Sequence, residues 1–300
     1  MTLYGIPYRG SKTKIAPKII ALLPAGKRFV DLFGGGFAMS HCARLSNKWE
    51  TVLYNDFNPL LPPLIQDALQ GKFNYNRFKP KFITREEFHR EKENDGYIKY
   101  IWSFGNNGQD YIFHQNIEEL KHEAHDFVVF GKRTQHFRNV EKYVTSTDIH
   151  KRRLQFCGYF RQNKKQFRIE PLERLERLEH ITRFDLQQLE QLERLQQLEQ
   201  LERFQQLERR ILITCGSYEN YEFQEGDVVY CDPPYEGTAD YGSAFDHKRF
   251  YEWVATRPFQ VWFSSYQGNK DFRLVWAKQI RSSLGAGNNS INFECLYTNK

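Results

Sequence analysis

Apolar residues along this chain fall into short, dense runs separated by turn residues. RFVDL over Arg28–Leu32 is one such run and leads into three glycines, which predicts a short buried strand closed by a tight turn. Ala38–Leu45 then predicts a helix, and TVLYND over Thr51–Asp56 a second strand ending on an acid. After a Gly-Asp turn, Val228–Cys231 predicts a third strand. Phe259–Tyr266 predicts a fourth, following a helix over His247–Ala255. Phe272, Leu274 and Trp276 alternate, as do Ile291, Phe293 and Cys295, with Asn288-Asn289 between the two sets, the pattern of a closing hairpin. Strands alternating with helices predict an α/β fold with a mostly parallel sheet covered on both faces.

The middle of the chain breaks this rhythm. Residues 61–168 are charged and aromatic with weak periodicity, and Gly105-Asn106-Asn107-Gly108 marks a loop. This stretch reads as a mostly helical insert between core segments 1–60 and 211–300. Residues 169–210 contain a low-complexity run of Leu-Glu-Arg, Leu-Glu-Gln and Leu-Gln-Gln units with apolar residues mostly every third position. On an α-helix a period of three rotates about 60° per step, so the stripe cannot stay on one face and a heptad coiled coil is disfavoured. The residue types are all good helix formers. Mostly helix is the expectation, with a stacked repeat or a partly disordered segment as alternatives, and a spacer or structural role rather than chemistry.

Charge sharpens the picture of the insert. The net charge is +6, yet residues 120–168 alone carry 12 Lys/Arg against 4 Asp/Glu. A basic block invites a polyanion, because each neutralised phosphate releases counterions; a merely solvated basic surface is the competing reading. Twenty-five Phe and 17 Tyr provide core and also possible stacking platforms for bases. The five cysteines are odd in number and form no C-x-x-C pair, which argues against a disulfide framework or a zinc site. His122 and His125 have no third ligand in view, so no metal is expected. With neither a signal peptide nor an apolar stretch of membrane length, the cytoplasm is the simplest location.

The sharpest motif is Asp232-Pro233-Pro234-Tyr235, placed directly after the VVYC strand. An exocyclic amine on a nucleobase is a poor nucleophile, because its lone pair is delocalised into the ring. Two acceptors aimed at its N–H groups would hold it for attack and stabilise the charge that develops. The Asp232 carboxylate and the Pro233 carbonyl can supply them, Pro234 restricts the turn, and Tyr235 offers a stacking face. Such a base must first be extruded from the duplex. A plain proline-rich surface turn is the bland alternative.

Asp31-Leu32-Phe33-Gly34-Gly35-Gly36-Phe37 follows the first strand, where small residues allow close approach of a ligand. A dinucleotide fingerprint needs a third glycine where Met39 stands, which weakens a dehydrogenase reading. Asp56, at the end of the second strand, stands where an acid commonly binds ribose hydroxyls; a turn-capping Asp is the alternative.

Together these features resemble the Dam-like adenine-specific DNA methyltransferases. The N-terminal Tyr8-Arg9-Gly10-Ser11-Lys12 is similar to that family's aromatic-x-G-G-K element, with Ser11 in place of the second glycine. The resemblance implies a Rossmann-like methyltransferase core, S-adenosylmethionine as cofactor, and double-stranded DNA as partner. It leaves open a cognate restriction nuclease. By the same resemblance Tyr8, Gly10 and Lys12 help form the cofactor site. Phe33, Gly34 and Gly36 would lie against the cofactor, with Asp31 at its methionine end and Asp56 at its ribose. The family commonly has Glu where Asp31 stands. Asp232, Pro233, Pro234 and Tyr235 would be catalytic, Asp232 also bordering the cofactor. Ser264-Ser265-Tyr266 follows the fourth strand, where the family has a Ser-rich motif. Arg133, Arg138, Arg152, Arg153, Lys164 and Lys165 in the basic insert are the candidates for DNA contacts. Two rivals stay open: the same core acting on RNA or a protein amide, and a DNA-binding protein with an inactive methyltransferase fold.

Overall fold

The computed structural model describes residues 4–134, 136–162, 189–202, 210–236, 245–266, 269–281 and 291–300. Its contacts divide the chain into two compact units, residues 1–5, 10–65 and 206–300 in the first and 6–9 and 66–205 in the second.

The first unit is built on a seven-stranded sheet. Its strands are β1 (Gly26–Asp31), β2 (Trp49–Asp56), β3 (Ile211–Cys215), β4 (Asp227–Cys231), β5 (Val261–Tyr266), β6 (Arg273–Arg281) and β7 (Ile291–Thr298). They lie in the order β3-β2-β1-β4-β5-β7-β6. The first five positions are parallel, while β7 runs antiparallel to both β5 and β6. Side chains alternate across a strand, so consecutive apolar residues feed opposite faces. Phe29, Val52, Val228, Trp262 and Leu296 join α1 (Ala16–Leu22) and α2 (Ala38–Ser46) in one core. Val30, Leu53, Val229, Phe263 and Tyr297 join Phe250, Trp253 and Val254 in the other. Burial on both faces is why these strands read as dense apolar runs rather than as alternation. β3 is a strand that the sequence pattern did not suggest.

The second unit is helical. After α3 (Leu61–Leu69), which crosses the division, come α4 (Arg85–Glu91), α5 (Gly96–Ile101), α6 (Gln115–Phe130), α7 (Ile149–Gln162) and α8 (Glu190–Glu202). Thr84 and Asp95 cap α4 and α5 through their side chains, and Gly131 closes α6 in the left-handed conformation. The final helix among the described residues, α9 (His247–Ala255), belongs to the first unit and has the bounds its pattern predicts. Among the described residues, no helix is long and apolar enough to cross a membrane.

The repeat segment is helical where it is described, and it is central. Leu189, Leu192, Leu195, Leu198 and Leu201 are each at most 1% exposed. A stripe that rotates round the helix is compatible with burial because neighbours meet α8 on several sides. Arg153 of α7 bonds to Glu193 and Gln196, Tyr75 donates to the Leu192 carbonyl, and Arg194 donates to the carbonyls of Ile101 and Ser103. The remainder of the repeat lies outside the described residues.

Candidate active site

The sheet order itself marks a site. From β1 the chain moves outward to β2 and β3, then returns to the other side of β1 for β4 and β5. Ligands in open α/β sheets bind at the carboxyl ends of the strands where the order reverses, here between β1 and β4. Asp31 ends β1, and Asp232 follows directly on β4. The two strands are parallel and in register from Arg28↔Asp227 to Asp31↔Tyr230. Two acids far apart in sequence therefore leave the sheet side by side.

The loop after β1 is held from β2. Gly34 N–H donates to the Asn55 carbonyl, the Tyr54 hydroxyl to the Gly35 carbonyl at 2.8 Å, and Gly35 N–H to Asp56 Oδ2 at 2.7 Å. The other Asp56 oxygen accepts from Asn58 N–H at 2.8 Å. Both Asp56 oxygens thus brace backbone, as a turn-capping Asp would, and each keeps a further lone pair. Burial raises the Asp56 pKa, and these two bonds oppose the rise. A Cβ on Gly34 would come within 2.1 Å of the Tyr54 ring, so packing against Tyr54 demands glycine there. Gly35 at φ +46° and Phe37 at φ +68° bend the chain into α2.

Asp31 is fully buried. Ser40 Oγ donates to its Oδ2 at 2.7 Å, whereas Oδ1 has no hydrogen-bond partner. Burial pushes its pKa up to about 7, and the nearby charges of Asp232 and Asp56 add to the rise while Ser40 opposes it. A buried carboxylate with an open acceptor suits a cationic ligand group. Phe33 packs in a cluster with Tyr218, Phe245 and Phe250, at ring-centroid distances of 5.2, 5.7 and 5.7 Å.

The turn after β4 sits in a network of charged and phenolic groups. Lys12 Nζ lies 2.9 Å from Asp232 Oδ2 and 3.5 Å from Glu294 Oε1. The Tyr235 hydroxyl reaches Asp232 Oδ1 at 3.1 Å and also bonds Glu294. Lys12 stands 4.7 Å above the Tyr235 ring, whose edge-on neighbour is Tyr266 at 4.7 Å. The His247 ring bonds the Pro234 carbonyl at 2.8 Å through Nε2, and Pro233 is buried. Beneath, the Tyr230 hydroxyl and Ser264 Oγ are 2.7 Å apart. Burial raises the Asp232 pKa, and Lys12 and Tyr235 oppose it.

Asp31, Gly34, Gly36, Asp56, Lys12, Asp232 and Tyr235 therefore all belong to one unit. Gly10, at φ +78°, turns the chain toward Lys12 in a conformation that favours glycine. Tyr8 belongs to the second unit, its ring edge-on to Tyr100 at 5.2 Å. Glu294 and His247 were not singled out from sequence.

The basic candidates separate into two kinds. Arg133 and Arg138 are exposed, Arg133 within 3.6 Å of Glu141. Arg153 is buried against Glu193 and Gln196, and Arg152 donates to the Phe127 carbonyl and lies over its ring. Arg152 and Arg153 thus tie α7 to α6 and α8 through partners inside the insert. Lys164 and Lys165 lie outside the described residues.

The family model for D12 class N6 adenine-specific DNA methyltransferases matches residues 8–253. Comparison with curated proteins finds no match.

Proposed function

The chain belongs to the D12 class N6 adenine-specific DNA methyltransferases, and from that premise we propose how its own residues carry the reaction. The protein is an enzyme that methylates the N6 amine of adenine in DNA. The methyl donor we assign is S-adenosylmethionine, which when bound supplies an electrophilic methyl on a sulfonium. The unpartnered, buried Asp31 Oδ1 fits its ammonium group, and the spare lone pairs of Asp56 fit its ribose hydroxyls. Phe33, Gly34, Gly36, Gly10 and Lys12 complete the cofactor-binding set within the first unit, and the family resemblance alone adds Tyr8 to it.

Asp232 accepts one N–H of the target amine and the Pro233 carbonyl the other. The nitrogen lone pair is thereby turned toward the donor, and the positive charge that develops is met by an anion. Tyr235 stacks on the extruded base, within the turn that Pro234 stiffens. A Dam-like enzyme acts on double-stranded DNA, and residues 61–168 are the target-recognition insert in this reading. Support comes from the basic composition of residues 120–168, from exposed Arg133 and Arg138, and from Phe104, 64% exposed in its glycine-rich loop.

The observation that carries the reading is the pairing of Asp31 and Asp232 at the reversal of strand order, the second held by Lys12 and Tyr235. The test is Asp232→Ala. DNA from cells expressing each form is sequenced by a method that reads methylated adenine, and cofactor affinity is measured on the purified proteins. The expected result is loss of methylation with cofactor binding retained. Methylation that persists in the variant removes Asp232 from the mechanism.

A further inference from the structure

Asp232 has a second carboxylate as its neighbour, and the reason lies in a count of protons. In the cluster described above, two donors each serve two acceptors. Lys12 reaches Asp232 and Glu294, and so does the Tyr235 hydroxyl. The phenol has one proton, so at any instant it donates to only one of the carboxylates. When it donates to Asp232, it occupies Oδ1, the oxygen not already paired with Lys12. That oxygen is the one left for an adenine N–H.

Glu294 arrives from β7, 4% exposed, and is paired in register with Tyr266 of β5 and Lys278 of β6. Burying a second carboxylate beside the first is unfavourable, and burial raises the pKa of both. Its position needs a compensating contact, and the two shared donors supply one. We propose that Glu294 is a positioning residue that takes over Tyr235, and part of Lys12, when the target amine engages Asp232. The exchange frees Asp232 Oδ1 while the Tyr235 hydroxyl keeps Glu294 as its acceptor. It also holds the Tyr235 ring by its hydroxyl while its face meets the base. The inference rests on the assignment of Asp232 as the amine acceptor.

The test compares single-turnover methylation by Glu294→Ala, Glu294→Gln and Glu294→Ala/Tyr235→Phe, with cofactor and DNA affinities measured separately. Loss of the alternative acceptor is expected to slow the chemical step by roughly tenfold to a hundredfold in Glu294→Ala, with both affinities little changed. Glu294→Gln still accepts from Tyr235 and is slowed less. Removing the hydroxyl in the double variant takes away the competitor for Asp232 Oδ1, so the step recovers severalfold. A merely structural role for Glu294 would not be relieved by Tyr235→Phe.

A Glu294→Ala rate equal to the parent overturns the inference. So does a double variant no faster than Glu294→Ala. Should Glu294→Ala fail to fold, Glu294→Met, which fills the space but offers Tyr235 no comparable acceptor, gives the same comparison with and without Tyr235→Phe, and an absent rescue again overturns it. Asp232→Ala, measured alongside, separates the two claims. An inactive Asp232→Ala beside an unimpaired Glu294→Ala rejects only the role of Glu294. An active Asp232→Ala rejects the reading beneath it.

Discussion

Lys12 Nζ lies 2.9 Å from Asp232 Oδ2, joining the segment ahead of α1 to the turn that ends β4. A carboxylate withdrawn from water would otherwise favour its protonated form, in which one oxygen becomes a donor and cannot accept from an amine. Burial raises the Asp232 pKa, and the ammonium opposes that rise and so favours its carboxylate form. This contact also explains why the segment around Lys12 belongs with the turn after β4.

Lys12→Met should therefore move the acid limb of methyl transfer to higher pH. Burial alone then acts on Asp232, opposed only by Tyr235. Near neutral pH we expect activity to fall by about tenfold or more, as for other misplaced acid–base groups. Lys12→Arg, which keeps a cation, should recover part of it. The check is kcat/KM against pH for the three proteins. An acid limb that stays in place in Lys12→Met would mean that the cation does not govern Asp232.

Asp31 predicts a second pH effect, on stability and on cofactor affinity. Its pKa rises from 3.8 to about 7 in the folded chain. The folded state thus holds a proton that the unfolded state releases. The stabilising contribution is fully present below pH ~4 and is lost as pH climbs through about 7. Asp31→Asn should flatten this part of the pH–stability curve of the ligand-free protein. An ammonium ligand prefers the ionised carboxylate, so cofactor binding below pH 7 should release up to one proton and strengthen as pH approaches 7. Calorimetry in buffers of differing ionisation enthalpy measures that proton. No release at pH 6 would show that Asp31 is not the group that meets the ammonium.

Arg28 and Asp227 form the opposite end of the same two strands. Arg28 Nε and Nη2 bond the two Asp227 oxygens at 2.8 and 2.7 Å, with the carboxylate side chain 5% exposed. Breaking a buried pair by deleting one partner leaves an uncompensated charge, at a cost of about 3–5 kcal/mol. Arg28→Leu should lower the thermal midpoint, and Arg28→Leu/Asp227→Leu should lower it less. Because the pair is remote from the catalytic turn, kcat at low temperature should not change. Chemical denaturation and a single low-temperature rate decide both parts.

These contacts were legible in the sequence to different degrees, for physical reasons. β1, β2, β4 and β5 are buried on both faces, so dense runs such as FVDL and VVYC announced them. α9 follows a capping Asp246 and needed no tertiary help to be placed. β3 is a short edge strand, with Leu212 47% exposed; its ILITC run is as apolar as VVYC but follows closely on the Leu-rich repeat and did not stand out from it. The Asp31–Phe37 and Asp232–Tyr235 motifs stood out in the sequence because each follows a dense strand run, where side chains leave the sheet. Glu294 was missed, although a single acid in the apolar run NFECLY was a signal that something must pair with it. Arg153 shows the converse. A basic residue in a basic block looks like a phosphate contact until its partners, Glu193 and Gln196, are brought round by the fold.

The repeat also has a consequence for stability. A low-complexity helix invites the view that its residues are interchangeable, yet Arg194 is set apart from its neighbours. Its guanidinium donates to the carbonyls of Ile101 at 2.8 Å and Ser103 at 2.6 Å, at the base of the loop that presents Phe104. Burial lowers its pKa, and Glu190, 3.3 Å away, opposes the shift. Arg194→Met keeps the length and apolar stem but leaves two carbonyls without this donor. We expect a loss of about 2–4 kcal/mol, since a buried acceptor left unmade costs about 1–3 kcal/mol. Glu193→Gln, on the same helix, keeps an acceptor for Arg153 and should cost far less. Hydrogen exchange then distinguishes local from global effects. In Arg194→Met protection should fall over residues 101–111 before it falls along α8. Uniform loss along both segments would mean that Arg194 anchors the helix rather than the loop.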